Sequence, residues 1–164
     1  MTQARQPAFF ASHGVFDTPE GRTALIILLM FPVLERLQTA GGPRERRVAR
    51  YLSETFVTDI DDCLREMGVG DMSVPKKVKR AAQALGERGL SYRRAVASSD
   101  PVAALADELA ATIPGLEQSP SGARALADMT LGSLARLEAA PLDALQAGSV
   151  QLFDAAHDAA VAQS

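Results

Sequence analysis

Apolar residues return every three or four positions along most of this chain, the period of helices that bury one side. Val48, Tyr51, Leu52, Phe56, Ile60, Cys63, Leu64 and Met67 make one such stripe. Val74, Val78, Ala81, Ala82 and Leu85 make another. Between them, Gly68 stands where a helix needs a left-handed residue to stop, and Gly70 lets the chain turn again at once. Asp71 and Ser73 are candidate caps for the second helix, and Pro75 suits its first turn, where a missing N–H costs nothing. Residues 56–80 therefore predict a helix, a tight corner and a helix.

The rest of the chain reads the same way. Gln6 to Gly14 predicts a short helix with Phe9 and Phe10 packed inward and His13 near its end. Ala24 to Leu34, capped by Asp17 or Thr18, predicts a buried core helix kinked or loosened near Pro32. Its apolar run is well short of the roughly 20 residues that cross a bilayer. Thr39 to Pro43 is a break, and Gly86 with Gly89 is expected to end the helix after the corner, leaving a short continuation through Ser98. Asp100-Pro101 opens a helix to about Thr112, closed by Pro114-Gly115. Another carries Leu126, Met129, Leu134 and Leu137 and ends before Pro141. The last segment, Pro141 to about Ala162, places Leu142, Leu145, Val150, Leu152 and Phe153 on a helix weakened by Gly148. The expected fold is all-α: one domain over 1–164, a compact bundle of about six to seven helices.

Composition narrows the chemistry. Hydrophobic content of 47% with 23% charged residues is ordinary for a globular chain, and 5% aromatics without tryptophan favours helices over a β-sandwich. A net charge of −3 argues against nucleic-acid binding by the whole surface, DNA included, and leaves room for a local basic patch. The single Cys63 excludes an internal disulfide and any multi-cysteine metal site, and its place on the stripe predicts a buried, inert thiol. There is no Gly-rich phosphate loop and no Ser-His-Asp arrangement. His157, between Asp154 and Asp158, is expected to be exposed and stands far from His13, so haem carriage by paired imidazoles is not expected. Asp59, Asp62 and Glu66 share a helical face, but the Glu-x-x-His pairs of carboxylate metal bundles are absent, so neither cofactor nor metal is expected.

The corner gathers opposite charges. Asp59 and Glu66 project within the arc of Val48, Leu52, Phe56 and Cys63, with Asp62 at its edge, and an unpaired buried carboxylate is costly. Lys76, Lys77, Lys79 and Arg80 put four cations in five residues, and the first two oppose the helix dipole. Two readings stand: an ion-pair cluster across the corner, or a surface for a partner. Arg44, Arg46, Arg47 and Arg50 form a further basic run, which joins Lys76 to Arg80 only if the two helix starts lie close.

The runs Asp59-Ile60-Asp61-Asp62, Leu64-Arg65-Glu66-Met67-Gly68-Val69-Gly70-Asp71 and Val74-Pro75-Lys76-Lys77 resemble the signature of the ubiquinol–cytochrome c chaperone family, assembly factors for respiratory complex III. Gly14-Val15-Phe16-Asp17-Thr18, with Gly21-Arg22, is similar to a second motif of that family. The likeness is strong from Phe9 to Arg80 and fades beyond Tyr92, which suggests a family-like core at about 9–98 and an Ala-rich helical part at about 100–162.

The resemblance implies a non-catalytic chaperone acting on newly made cytochrome b. Taken with the corner's charges, it points to Lys76, Lys77, Lys79, Arg80, Asp62 and Glu66 as partner-binding, and to Asp59, Arg65, Gly68, Gly70, Asp71 and Pro75 as a structural motif. Partners implied besides cytochrome b are the ribosome near its tunnel exit, a small assembly protein and the membrane surface. An apolar groove near Leu25 to Phe31 would shield an emerging transmembrane segment. The family favours an aromatic-rich segment after the basic helix, where this chain has Ala84-Leu85-Gly86-Glu87. MTQARQPAFF carries no legible secretion signal or presequence, so the expected setting is a bacterial cytoplasm, peripheral to the inner membrane. The alternative is a ribosome- or RNA-associated helical adaptor using the basic helix.

Overall fold

A computed structural model describes residues 7–66, 68, 70, 73–148 and 152. Within them lie α1 (Ala8–Ala11), α2 (Pro19–Ala40), α3 (Pro43–Glu66), α4 (Val74–Val96), α5 (Pro101–Thr112), α6 (Pro120–Ala139) and α7 (Leu142–Gln146), with a 3-10 turn at Leu116–Gln118. The fold is all-α, as the periodicity predicts.

The bundle is built on α2, whose Ala24, Leu25, Ile27, Leu28 and Phe31 are all buried. Thr18 caps it by accepting the Gly21 N–H at 3.1 Å. Asp17, the other candidate cap, pairs with Arg22 instead, at 2.6 Å. Pro32 is buried within the helix and does not end it. The helix stops at Gly41, whose φ of 69° is the left-handed conformation that closes a last turn. Around α2 pack α3, α4 and α6, with α5 bridging α4 and α6. Buried apolar residues from Phe9 to Leu152 form one core cluster. Burying each Leu, Ile or Phe side chain in it is worth about 1.5–3 kcal/mol.

α3 is covered by α2 and α4 along one side, and its buried residues are Ala49, Phe56 and Leu64, with Leu52, Val57 and Ile60 partly covered. The stripe is therefore rotated from the one read in the sequence. Tyr51, Cys63, Asp62 and Glu66 are exposed, and Asp59 is half-buried. The expected buried thiol is corrected accordingly. A helix at the edge of a bundle buries a narrow line, and residues at the margin of the apolar arc fall on whichever side its neighbours leave open.

α4 runs unbroken from Val74 to Val96, through both Gly86 and Gly89, where the sequence suggested an end. Two helix-interior glycines cost about 1 kcal/mol each. Burial of Ala81, Tyr92 and Ala95 on either side outweighs that. Tyr92 is fully buried, its ring edge-on to Phe31 at 5.5 Å between centroids and its hydroxyl 3.4 Å from Thr112 Oγ1.

Asp100 caps α5 by accepting the Ala103 N–H at 3.1 Å. At the other end of the chain, α7 is short. It gives way to Gly148 at φ 78°, and Leu152 is buried but not helical, its carbonyl accepting from Ser133 Oγ at 2.6 Å and Arg136 Nη2 at 2.9 Å. The single long helix expected from Pro141 is thus corrected, while Val150, Phe153 and His157 lie outside the described residues. At the N-terminus α1 is a single turn, shorter than expected, and His13 is buried with its ring 6.1 Å from that of Phe9.

Candidate functional site

At the corner, Gly68 has φ 72° and its N–H reaches the Arg65 carbonyl at 3.0 Å, the left-handed stop expected of it. A Cβ there would meet nothing within 4 Å, so only backbone conformation requires the glycine. Gly70 is not at positive φ; its carbonyl accepts both the Ser73 N–H (2.8 Å) and the Ser73 hydroxyl (2.9 Å). Ser73 therefore stands at the start of α4 with its side chain turned back into the corner rather than capping forward. Pro75 occupies the first turn as expected, and Asp71 lies outside the described residues.

Lys76, Lys77, Lys79 and Arg80 are exposed. Among the described residues no ion pair joins them to Asp59, Asp62 or Glu66; the acid at this end of α3 that is paired is Asp61, with Arg65, at 2.7 Å. The ion-pair cluster across the corner is not formed within salt-bridge distance, and the cations face water. Arg44 to Arg50 sit at the far end of the α3–α4 hairpin. The 24 residues of α3 put its start about 35 Å from the corner, so the two basic runs do not merge.

A second feature opens farther along the hairpin. A groove of about 390 Å³ lies between α2, α3 and α4. Ile27, Phe31 and Leu34 of α2 form one side; Ala82, Leu85, Gly86, Gly89 and Leu90 of α4 form the other, with Ser53 of α3 at the end. Glu35, Gln38 and Arg93 make its polar rim. Arg93 donates to Glu35 Oε2 through Nε and Nη2 at 2.9 and 2.7 Å, and to Gln38 Oε1 at 2.8 Å. The adjacent carboxylate raises the Arg93 pKa above its ordinary value. A Cβ on Gly86 or Gly89 would touch nothing within 4 Å, so the missing side chains leave this wall as bare helix backbone. The groove expected near Leu25 to Phe31 is present over Ile27 and Phe31, both themselves buried, whereas Leu25, on the opposite side of α2, takes no part in its lining. Gly86 and Gly89 were legible as glycines but not as lining, because their spacing also fits a helix end.

The segment from Gly14 to Arg22 is a joint. Phe16 N–H donates to the Pro114 carbonyl at 2.9 Å, tying the N-terminal strap to the turn between α5 and α6. A Cβ on Gly115 would fall on the Gly14 carbonyl, one on Gly122 on the His13 carbonyl, and one on Gly21 on the Phe16 carbonyl. These glycines are held by close backbone approach, a structural requirement. Among the described residues no group of three His, Cys, Asp or Glu side chains is placed to hold a metal ion.

Comparison with known proteins places this architecture. The sequence model described as ubiquinol-cytochrome C chaperone matches residues 11–153, running past the stretch where the resemblance is legible and through α5, α6 and α7. Among solved structures, the crystal structure of the Cbp3 homolog from Brucella abortus aligns with a TM-score of 0.81 at 32% identity, covering 93% of this chain and 83% of that one. No curated protein sequence matches the chain.

Proposed function

The chain belongs to the ubiquinol–cytochrome C chaperone family, and from that premise we propose that it escorts newly made cytochrome b into ubiquinol–cytochrome c reductase without catalysing a reaction. The observation that carries the reading is the groove between α2, α3 and α4. An unassembled transmembrane segment exposes apolar surface to water at about 25 cal/mol for each Å², and a cleft that offers Leu34, Leu85 and Leu90 beside its polar rim relieves part of that. Helices of membrane proteins pack closely where small residues let backbones approach, and the Gly86–Gly89 wall offers such a surface.

The cations at the start of α4 serve acidic loops of the client or of a small assembly protein. Lys76, Lys77, Lys79 and Arg80 are solvent-facing, and Asp62 and Glu66 give the neighbouring edge of the corner the opposite sign. Asp59, half-buried, and Gly68 shape the corner that presents them. The protein acts at the cytoplasmic face of the inner membrane as a peripheral component. α2 is long and apolar enough to cross a membrane by length and composition, yet half of its most apolar window is buried in the bundle, which supports its role as the core helix.

A strain lacking the gene tests the reading. Assembled ubiquinol–cytochrome c reductase and its cytochrome b are expected to fall while other respiratory complexes are spared; unchanged levels would refute it. The unpaired cations of α4 favour one further reading, an adaptor on ribosomal RNA. It differs in salt response, because binding through four phosphate contacts weakens by orders of magnitude between low and moderate salt.

A further inference from the structure

The basic run at the start of α3 is absorbed neither by the corner nor by the groove. We propose that Arg44, Arg47, Arg50 and Tyr51 form a docking face for an anionic lipid bilayer.

Arg44, Arg47 and Tyr51 follow one another at three- and four-residue steps and so stand in one line along the helix, with Arg50 flanking it. That line lies opposite the buried Ala49 and Phe56. All four are exposed, and Tyr51, at 70%, is the most exposed of the large apolar side chains described. The run's other two charges point elsewhere. Arg46 is used within the fold, donating to the Gly41 carbonyl at the end of α2. Glu45, the one acid in the run, is half-buried on the inner side of the helix. Arg50 approaches Glu54 only loosely, at 3.7 Å with both side chains about two-thirds exposed or more, so water and salt screen that pair. With Glu54 one turn beyond Arg50 on the same side, the face carries three cations against one acid, a net positive surface in a chain of net charge −3.

The chemistry suits lipid headgroups. Guanidinium groups bind phosphate oxygens in a two-pronged geometry, and a tyrosine ring seats its apolar body and polar tip at the membrane interface. A nucleic-acid strand is usually held in a channel with several stacking rings, whereas this is the convex side of one helix carrying one ring. An anionic bilayer is the flat, polyanionic partner that a convex cationic face with one interfacial ring fits.

The absence of tryptophan gives the test a clean reporter. Tyr51→Trp introduces a single tryptophan, whose emission, excited apart from that of Tyr92, is expected to shift to the blue on vesicles containing phosphatidylglycerol and not on phosphatidylcholine alone. In parallel, sedimentation of the wild-type chain with the same vesicles measures affinity without any substitution. Arg44→Gln, Arg47→Gln and Arg50→Gln together are expected to weaken that binding about a hundredfold, from the contribution of each cation near an anionic surface. Arg88→Gln and Arg94→Gln together, on α4 and outside the corner and the groove, are expected to leave it nearly unchanged. The inference is overturned if the wild type does not sediment with anionic vesicles, if the α3 variant binds like wild type, or if the α4 variant is the one that loses binding. A blue shift with an RNA oligonucleotide and none with vesicles overturns it equally.

Discussion

Arg93, near the end of α4, closes a two-pronged ion pair on Glu35 of α2, with Nη2 to Oε2 at 2.7 Å. The pair lies on the rim of the groove and ties together the two helices that form its sides. Arg93 is 43% exposed, so solvent screening keeps the interaction modest. A double-mutant cycle of Glu35→Gln and Arg93→Gln is expected to give a coupling energy of about 0.5–1 kcal/mol that shrinks with added salt. Chemical denaturation in low and high salt measures it; additive effects of the two substitutions would show that the pair contributes nothing.

The glycines divide into two kinds with opposite expectations. Gly122→Ala sets a methyl against the His13 carbonyl, and is expected to destabilise by about 1–3 kcal/mol through overpacking. Gly86→Ala meets open space inside a helix and is expected to stabilise by about 0.5–1 kcal/mol. Thermal melts of the two variants moving in the same direction would contradict the packing described for at least one of them.

Gly68 is a third case, with open space but a left-handed backbone. Gly68→Val is expected to lose more than about 1 kcal/mol, and Gly68→Asn clearly less, since Asn tolerates that conformation. Equal melting temperatures for the two would rule out backbone strain as the cause.

Burial raises the Tyr92 pKa above the ordinary tyrosine value, and the contact with Thr112 offsets this only in part. The folded state holds the phenolic proton more tightly than the unfolded chain does. That contribution is fully present below the unfolded pKa of about 10 and is lost as pH rises past it. Stability followed from pH 8 to 11 is expected to fall at the alkaline end, and Tyr92→Phe is expected to flatten the fall. A variant with the wild-type alkaline slope would assign the loss to another group.

What the sequence disclosed was local. Thr18 as a cap, Gly68 as a stop, the break over Thr39 to Pro43, the helix start at Asp100-Pro101 and the apolar run of α2 all act within a few residues of themselves, and each stands where its chemistry implies. Cys63 and Tyr51 were misplaced because the margin of an apolar arc is settled by which helices lie alongside, a tertiary matter. Gly86 and Gly89 looked like an end because propensity disfavours them in a helix; only burial of Ala81 and Tyr92 on either side carries α4 through. The corner's cations were legible as a cluster, but whether acids neutralise them depended on side-chain reach across the turn. The groove was anticipated on the α2 side alone, since its other wall is made by what the two glycines lack.

The central claim is that this groove holds the client. Gly86→Leu fills it from a position where a side chain meets no other atom at its Cβ, so the fold is expected to survive, as a thermal melt can confirm. Tagged wild-type protein and this variant, each isolated from membranes of the source cells, are then compared for cytochrome b that comes with them. Cytochrome b is expected to accompany the wild type and to fall to near background with the folded variant. Equal recovery with both, or none with the wild type, would contradict the account.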